Sequence, residues 1–399
     1  MEQLVLRLAE KWGLGPIGTQ YLAVLFMLLA ALIVAAGFAT LFAGAVTWVE
    51  RRVAGRIQSR IGPNRVGPQG ILQWLADGLK AFFKEDFIPP EGDVLLFKLS
   101  VYFPVIGFFA VFAVLPFSQK LVAADLNVGV FYAFSVTSFT VIGIVFAGWA
   151  SNNKWSLLGG IRSVAQIISY EVPIALSALV PIMIAGSLST QSIISAQGGW
   201  PWQWFVFHNP FAFVAFFVFF ISNLAEGNRI PFDLPEGESE LVSGYSTEYS
   251  GFRYLLFYLV EWGNLYVMAA LSTLLFFGGW RIPGVSPETM ANSWFLQLVG
   301  LVIFWIKAFT FVFIIIQIRW TLPRVRIDQF MNMAWKYMIP FAFVTFLGTG
   351  IWLMFPRWFE ILTQWILFLI GLGILGLFFW RVKYTLDYIK AKVDLKFFI

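Results

Sequence analysis

The chain contains no cysteine, only one histidine and little charge. Without cysteine there can be no disulfide, no thiolate metal site and no cysteine-ligated iron–sulfur cluster. The lone histidine, His208, rules out bis-histidine haem and multi-histidine zinc. Its place beside Asn209-Pro210 reads as interfacial. Charged residues are 12% of the sequence, about half of the roughly 25% usual in soluble domains. Gly159-Gly160 is not followed by Gly-Lys-Ser/Thr, so no phosphate-cradling loop is indicated. Residues 1–18 lack a basic stretch leading into an apolar core, and no cleavable signal is expected. No internal repeat is visible, which argues against an inverted-repeat transporter. Electron chemistry at this chain must therefore use a cofactor held elsewhere or a diffusing substrate.

What the sequence has is apolar mass. It is 59% hydrophobic and 19% aromatic over 399 residues, with a mean hydropathy of +0.78. That composition specifies an all-α polytopic membrane protein. Runs near the roughly 20 residues needed to cross a bilayer occur at 19–49, 96–117, 130–150, 164–186, 209–226, 252–279, 293–318, 336–354 and 359–380. Nine transmembrane helices are expected, in a single membrane domain over 1–399, with a core at about 19–354. All but six of the 27 lysines and arginines fall on one side of this arrangement, the exceptions being Arg7, Lys11, Lys120, Arg281, Lys307 and Arg357. The positive-inside rule then places the amino terminus outside and the carboxyl terminus in the cytoplasm. The net charge of +5 reports topology, and no nucleic-acid partner is implied. Between the first two spans, Leu72, Leu75, Leu79 and Phe82 recur at helical spacing among Gln73, Asp77, Lys80 and Lys84. This is an amphipathic helix along the cytoplasmic interface. It either rests on lipid or borders a cavity for an amphiphilic ligand.

Three charges lie well away from the ends of apolar runs: Glu171 in the fourth, Glu261 in the sixth and Lys307 in the seventh, while Glu50 and Glu226 close the first and fifth. Each buried charge costs roughly 2.5–3.5 kcal/mol on insertion scales, so they must be paired, hydrated or protonated. A structural ion pair of Lys307 with Glu171 or Glu261 is one reading. Four acids against one lysine favour a proton or ion path. Pro173, two residues after Glu171, cannot donate to the carbonyl of Ser169, which opens a polar notch beside the carboxylate. The most acidic segment lies between the fifth and sixth spans, where a basic loop would be usual. It sets Glu226, Asp233, Glu236, Glu238, Glu240 and Glu248 against Arg229 and Arg253. Pro231 and Pro235, with Phe232 and Leu234 between charges, indicate a packed loop. It serves as a charged funnel to Glu226, Glu261 and Glu171, as a dock for a basic partner, or as both.

These residues sit in motifs that resemble the membrane subunit 1 family (the H-type subunit of bacteria) of respiratory complex I, the proton-pumping NADH:quinone oxidoreductase. The motifs are Glu50-Arg-Arg-Val-Ala-Gly-Arg-Ile-Gln-Ser-Arg-Ile-Gly-Pro-Asn64, Ala76-Asp-Gly-Leu-Lys80, Ala165-Gln-Ile-Ile-Ser-Tyr-Glu171, Asn228-Arg-Ile-Pro-Phe-Asp-Leu-Pro-Glu236, Glu238-Ser-Glu-Leu-Val-Ser-Gly-Tyr-Ser-Thr-Glu-Tyr249 and Arg319-Trp-Thr-Leu-Pro-Arg-Val-Arg-Ile-Asp-Gln329. The resemblance covers about 50–340. It implies a multi-pass subunit of the bacterial inner (plasma) membrane that walls the quinone chamber from the membrane side. It further implies peripheral-arm partners, one with the terminal iron–sulfur cluster, and antiporter-like membrane neighbours. NADH, FMN and the clusters would belong to partner subunits, and this chain would hold no metal or covalent cofactor. Ubiquinone or menaquinone would be the substrate. By the matching positions, Glu50, Arg51, Arg60 and Arg324 belong to the quinone side. Glu171, Glu226 and Glu261 belong to the proton route. Arg229, Asp233, Glu236, Glu238, Glu240 and Glu248 form the loop joining the two. Two departures stand out: Trp262 where tyrosine is common, and a further helix and basic tail over 355–399. Rival readings are a quinone-free relative in a hydrogenase or formate-oxidising complex, a stand-alone cation transporter and a scaffold.

Overall fold

The computed structural model describes residues 37–38, 40–233 and 237–396. Most of the first expected span, and Glu236 of the acidic loop, lie outside the described residues. Among the described residues every regular element is helical. Helix α1 covers 40–57, running past the expected end of the first span and carrying Glu50 and Arg51. Helix α2 is Gln73–Phe83, α3 is Val94–Val111, and α4 (Gly129–Thr137) is followed by α5 (Phe139–Ala150). Then come α6 (Lys154–Ala185), α7 (Thr190–Ala196), α8 (Pro210–Glu226), α9 (Glu238–Leu241) and α10 (Gly251–Phe276). Helices α11 (Pro287–Asn292), α12 (Trp294–Thr321), α13 (Ile327–Asn332), α14 (Ile339–Trp352) and α15 (Arg357–Lys396) complete the chain. Among the described residues, five apolar stretches are long enough by themselves to cross a membrane: α3, the α4–α5 unit, α6, α10 and α12. Helix α8 is a shorter apolar helix.

Local chemistry sets several boundaries. The third span, expected as one helix, breaks at Ser138. There the hydroxyls of Thr137 and Ser138 turn back to the carbonyl of Phe134, at 2.9 and 3.2 Å. Such side chains compete with the helical ladder. Helix α6 starts ten residues before the apolar run, because the Asn153 side chain accepts from the amide of Trp155 and caps it. It ends at Gly186, which adopts the left-handed conformation at φ 66°. Beside Pro173, the Ser169 hydroxyl donates to the carbonyl of Ala165 and accepts from the indole of Trp335.

Helix α10 is the hub. Of its apolar window 83% is buried, against 50% or less for the other four long spans. A charge on α10 is therefore enclosed by protein, whereas most side chains on the other spans have a route to the surface. Tyr266 of α10 packs with Phe38 and Phe42 of the first span and Phe112 and Phe117 after α3, at ring separations of 4.8–6.4 Å. The last helix is the exception to this packing. Its 40 residues, about 60 Å at 1.5 Å per residue, meet the rest through Trp365 and Phe368 against Trp202 and Phe207. The expected span at 359–380 and the basic segment behind it form one helix.

Candidate functional site: two buried ion pairs and a carboxylate cavity

At the end of the bundle where the basic residues gather, Glu50 is 3% exposed. Its Oε1 accepts from the guanidinium of Arg319 at 2.7 Å and the indole of Trp320 at 3.2 Å. The neighbouring Arg51 pairs with Asp77 of α2, and Gln73 also donates to Asp77. These contacts pin the polar side of α2 while Leu72, Leu75, Leu79 and Phe82 stay exposed. The amphipathic reading of this helix is thus realised. A groove of about 530 Å³ opens beside Arg51 and Asp77, with Lys80, Ser246, Tyr249 and Tyr254 also on its walls.

A second pair lies on α10. The guanidinium of Arg229, only 1% exposed, stands 3.1 Å from Glu261. It also lies 4.3 Å from the centre of the Trp262 ring, and Arg319 reaches the same ring at 5.9 Å. Lys307 is not the counter-charge of either Glu171 or Glu261. Its ammonium donates to the carbonyls of Phe277 and Gly279, at 2.7 and 3.0 Å, and sits over the Trp204 ring. These carbonyls end α10, where a cation complements the free carbonyls and the helix dipole.

Glu171 and Glu226 come together. Both line a cavity of about 310 Å³ between α4, α6 and α8, along with Thr137 and Ser138. The one proton of the Ser138 hydroxyl is within reach of both the Phe134 carbonyl at 3.2 Å and Glu171 at 2.9 Å, and the shorter contact is to the carboxylate. Glu226 also borders a smaller cavity of about 30 Å³ with Thr137, Thr140, Asn223 and Asn264. That volume and polar lining suit a water.

The acidic loop is packed, as its prolines indicated. The side-chain amide of Gln166, on α6, donates to the carbonyls of Ala225 and Phe232 and to the side chain of Asn228, at 2.7–3.0 Å. The amide of Val325 donates to the carbonyl of Pro231 at 3.0 Å, and the Arg324 guanidinium lies against Gly237. This loop and the segment after α12 therefore form one layer. At its far end the Tyr249 ring stacks on Phe97 at 4.1 Å and its hydroxyl bonds to that of Ser100. Burial pushes the Tyr249 phenol up to about 12, so it stays protonated throughout the physiological range.

The remaining acids of the loop have other neighbours. Glu240 pairs with Arg162 at 2.7 Å on the surface, and Glu248 accepts from Asn153 at 2.7 Å. Neither lines the cavity of Glu171 and Glu226. Asp233 is half-buried, Glu238 opens α9 with its side chain outside the described set, and Arg60 is exposed, bonding to Gln58. Sequence reasoning assigned no role to Gln166, Ser138 or Asn264. The signal for Gln166 was present, since a carboxamide in an apolar helix must find partners.

Gln166→Ala removes an amide NH2 shared among three acceptors and strands buried carbonyls, at about 1–3 kcal/mol. Hydrogen exchange over 225–233 should rise markedly, while the rest of α6 keeps its protection. At the surface, the Arg162 hydrogen bond and charge hold the Glu240 carboxyl below its ordinary value of 4.5. Its stabilising effect is complete above that value and is lost as pH falls through the lower folded one. Because the pair is exposed, its worth is about 0–1 kcal/mol. Looser attachment of 238–246, read as faster proteolysis or exchange corrected for intrinsic rate, is expected only in acid, and at neutral pH in Glu240→Gln.

The family model described as NADH dehydrogenase matches residues 29–350. The NADH-quinone oxidoreductase H subunit of Anaeromyxobacter dehalogenans is 51% identical over 344 residues, covering 84% of this chain and 83% of that protein. The protein of the same name from Chlorobaculum tepidum is 46% identical over 315 residues, 76% of this chain and 86% of its own length. That from Chlorobium luteolum is 46% identical over 311 residues, 77% and 83% respectively.

Proposed function

The chain belongs to the family of the NADH-quinone oxidoreductase H subunit, and from that membership we propose that it is the membrane subunit that houses the quinone and couples its reduction to proton translocation. The observation that carries this reading is the sequence of enclosed ionisable groups across one bundle. It begins with Glu50, next in the chain to Arg51 on the groove wall, continues through Arg319, Trp262, Arg229 and Glu261, and reaches a second group, Glu226 and Glu171, around a shared cavity. Membership also supports the quinone reading over a quinone-free hydrogenase relative, because the similar proteins are named as quinone oxidoreductase subunits.

Reducing a quinone to a quinol takes two electrons and two protons. The electrons come from a partner subunit with an iron–sulfur cluster; this chain supplies the wall and the proton chemistry. Negative charge arriving at the groove acts on the Glu50–Arg319 and Glu261–Arg229 pairs, whose low-dielectric surroundings make charge interactions large. A carboxylate that loses part of its counter-charge binds a proton more readily. The carboxyl groups around the Glu171–Glu226 cavity, with water in the smaller one, pass the change to antiporter-like neighbours in the membrane. Asp233, Glu240 and Glu248 belong to the loop that meets the peripheral-arm subunits, and Arg60 and Arg324 contribute to the chamber mouth. The groove side faces the cytoplasm, an orientation that the lysine and arginine distribution supports. The test is direct. NADH oxidation in membranes containing the assembled complex should be blocked by quinone-site inhibitors, and quinone should co-purify with the complex. Inhibitor-insensitive oxidation with no quinone in the preparation would end this reading.

A further inference from the structure

Trp262 lies next to both buried ion pairs, between Arg229 and Arg319. It is 4% exposed, and its Nε1 has no hydrogen-bond partner among the described residues. The ring is therefore placed by what its faces and edges touch. Those contacts are the Arg229 guanidinium at 4.3 Å, the Arg319 guanidinium at 5.9 Å and the Tyr258 ring at 5.6 Å. Arg229 belongs to the loop after α8 and holds Glu261 of α10. Arg319 belongs to α12 and holds Glu50 of α1. One indole is the shared neighbour of two cations whose carboxylate partners sit on different helices.

We propose that Trp262 is a positioning residue that couples the two pairs, so that a change of protonation at Glu261 alters how Arg319 holds Glu50, and the reverse. The physical basis is the indole quadrupole, the strongest among protein rings, which attracts a cation near its face. Both arginines draw on the same ring density, and each is also drawn to its own carboxylate. When Glu261 takes a proton, Arg229 loses the anionic partner on α10 and leans more strongly on the ring. That raises the positive potential at the ring and displaces Arg319 toward Glu50. A leucine is smaller and carries no π face, so it transmits none of this. Among the described residues, the ionisable groups facing this assembly include Tyr258 and Glu261 on α10 itself, Arg229 from the loop that also carries Asp233, Arg319 from α12, Glu50 and Arg51 from α1, and Asp77 from α2 through Arg51.

The proposal rests on the reading that Glu261 exchanges a proton during turnover. Its test uses the assembled complex in membrane vesicles with Trp262→Leu, Trp262→Phe and Trp262→Tyr. Rates are normalised to the amount of complex by NADH oxidation with an artificial electron acceptor. In Trp262→Leu the guanidinium of Arg229 is held less firmly against Glu261. The acidic limb of the pH–rate profile for quinone reduction should then move up by about one unit, with a rate loss of about tenfold. Trp262→Phe and Trp262→Tyr keep a π face and should stay within about threefold of the native rate, with little movement of the limb. Equal losses in all three variants with an unmoved pH limb would show that the indole only fills space, and would overturn the proposal. If Trp262→Leu fails to assemble, the phenylalanine variant decides, because a limb shifted as far as one unit there is equally fatal. Unimpaired pumping in Glu261→Gln is a different outcome. It would remove the underlying reading whatever the tryptophan variants do.

Discussion

Vesicles carrying Glu261→Gln are expected to lose coupled proton translocation by about 100-fold or more, the scale on which a positioned acid–base group contributes. The amide keeps the size and much of the hydrogen bonding of the carboxylate, so the helix keeps its packing. What disappears is the charge opposite Arg229 and the capacity to bind a proton. Arg229 is 1% exposed, and an arginine so enclosed relies on neighbouring anions and dipoles in place of solvent. Some loss of stability should accompany the loss of pumping. Comparison with Glu261→Asp separates the two effects, since aspartate restores the charge at a shorter reach and should recover part of the translocation. Normal pumping per NADH in Glu261→Gln would exclude this carboxyl group from the route.

Arg319→Ala is expected to have the largest effect on stability. It leaves Glu50, 3% exposed, with the Trp320 indole as its remaining donor. Removing one partner of a buried pair costs about 3–5 kcal/mol, because the other charge stays behind in a poor solvent. That is a large part of the about 5–15 kcal/mol that keeps a typical domain folded, so the yield of assembled complex should collapse. Arg319→Lys should be intermediate. A lysine can reach the carboxylate but lacks the flat guanidinium that lies toward the Trp262 ring. Removing both charges together, as in Glu50→Gln with Arg319→Met, should recover much of the stability while quinone reduction stays low. Recovery of stability without recovery of rate is the result that marks the pair as functional. A single Arg319→Ala as stable as the native protein would show that Glu50 is hydrated or neutral.

The apolar runs were legible because a bilayer imposes length and hydrophobicity on every crossing. Their limits were less so. Helix α1 runs beyond its apolar run because Glu50 and Arg51 find partners on α12 and α2. The third span breaks at Ser138 because two hydroxyls compete for one carbonyl. At the site, enclosed acids could be picked out one by one, since carboxylates in apolar runs demand explanation. Pairing could not. Lys307 looked like the natural counter-ion, and only the three-dimensional arrangement sends it to the end of α10 and gives Glu261 to Arg229. Cross-bundle contacts such as Glu50–Arg319 join positions more than 250 residues apart, and hydrophobic periodicity carries no information about them. The acidic loop shows the same limit. Its charges read as one funnel, yet Glu240 and Glu248 are bound to Arg162 and Asn153 on separate parts of α6 and its cap.

The last helix is tied to the bundle at one edge. Helix α15 lies beyond the residues that match the family, 29–350, and its described side chains are exposed or half-exposed. A few rings around Trp202 hold it at the rim, so shortening the chain there would take little packing away from the interior around α10.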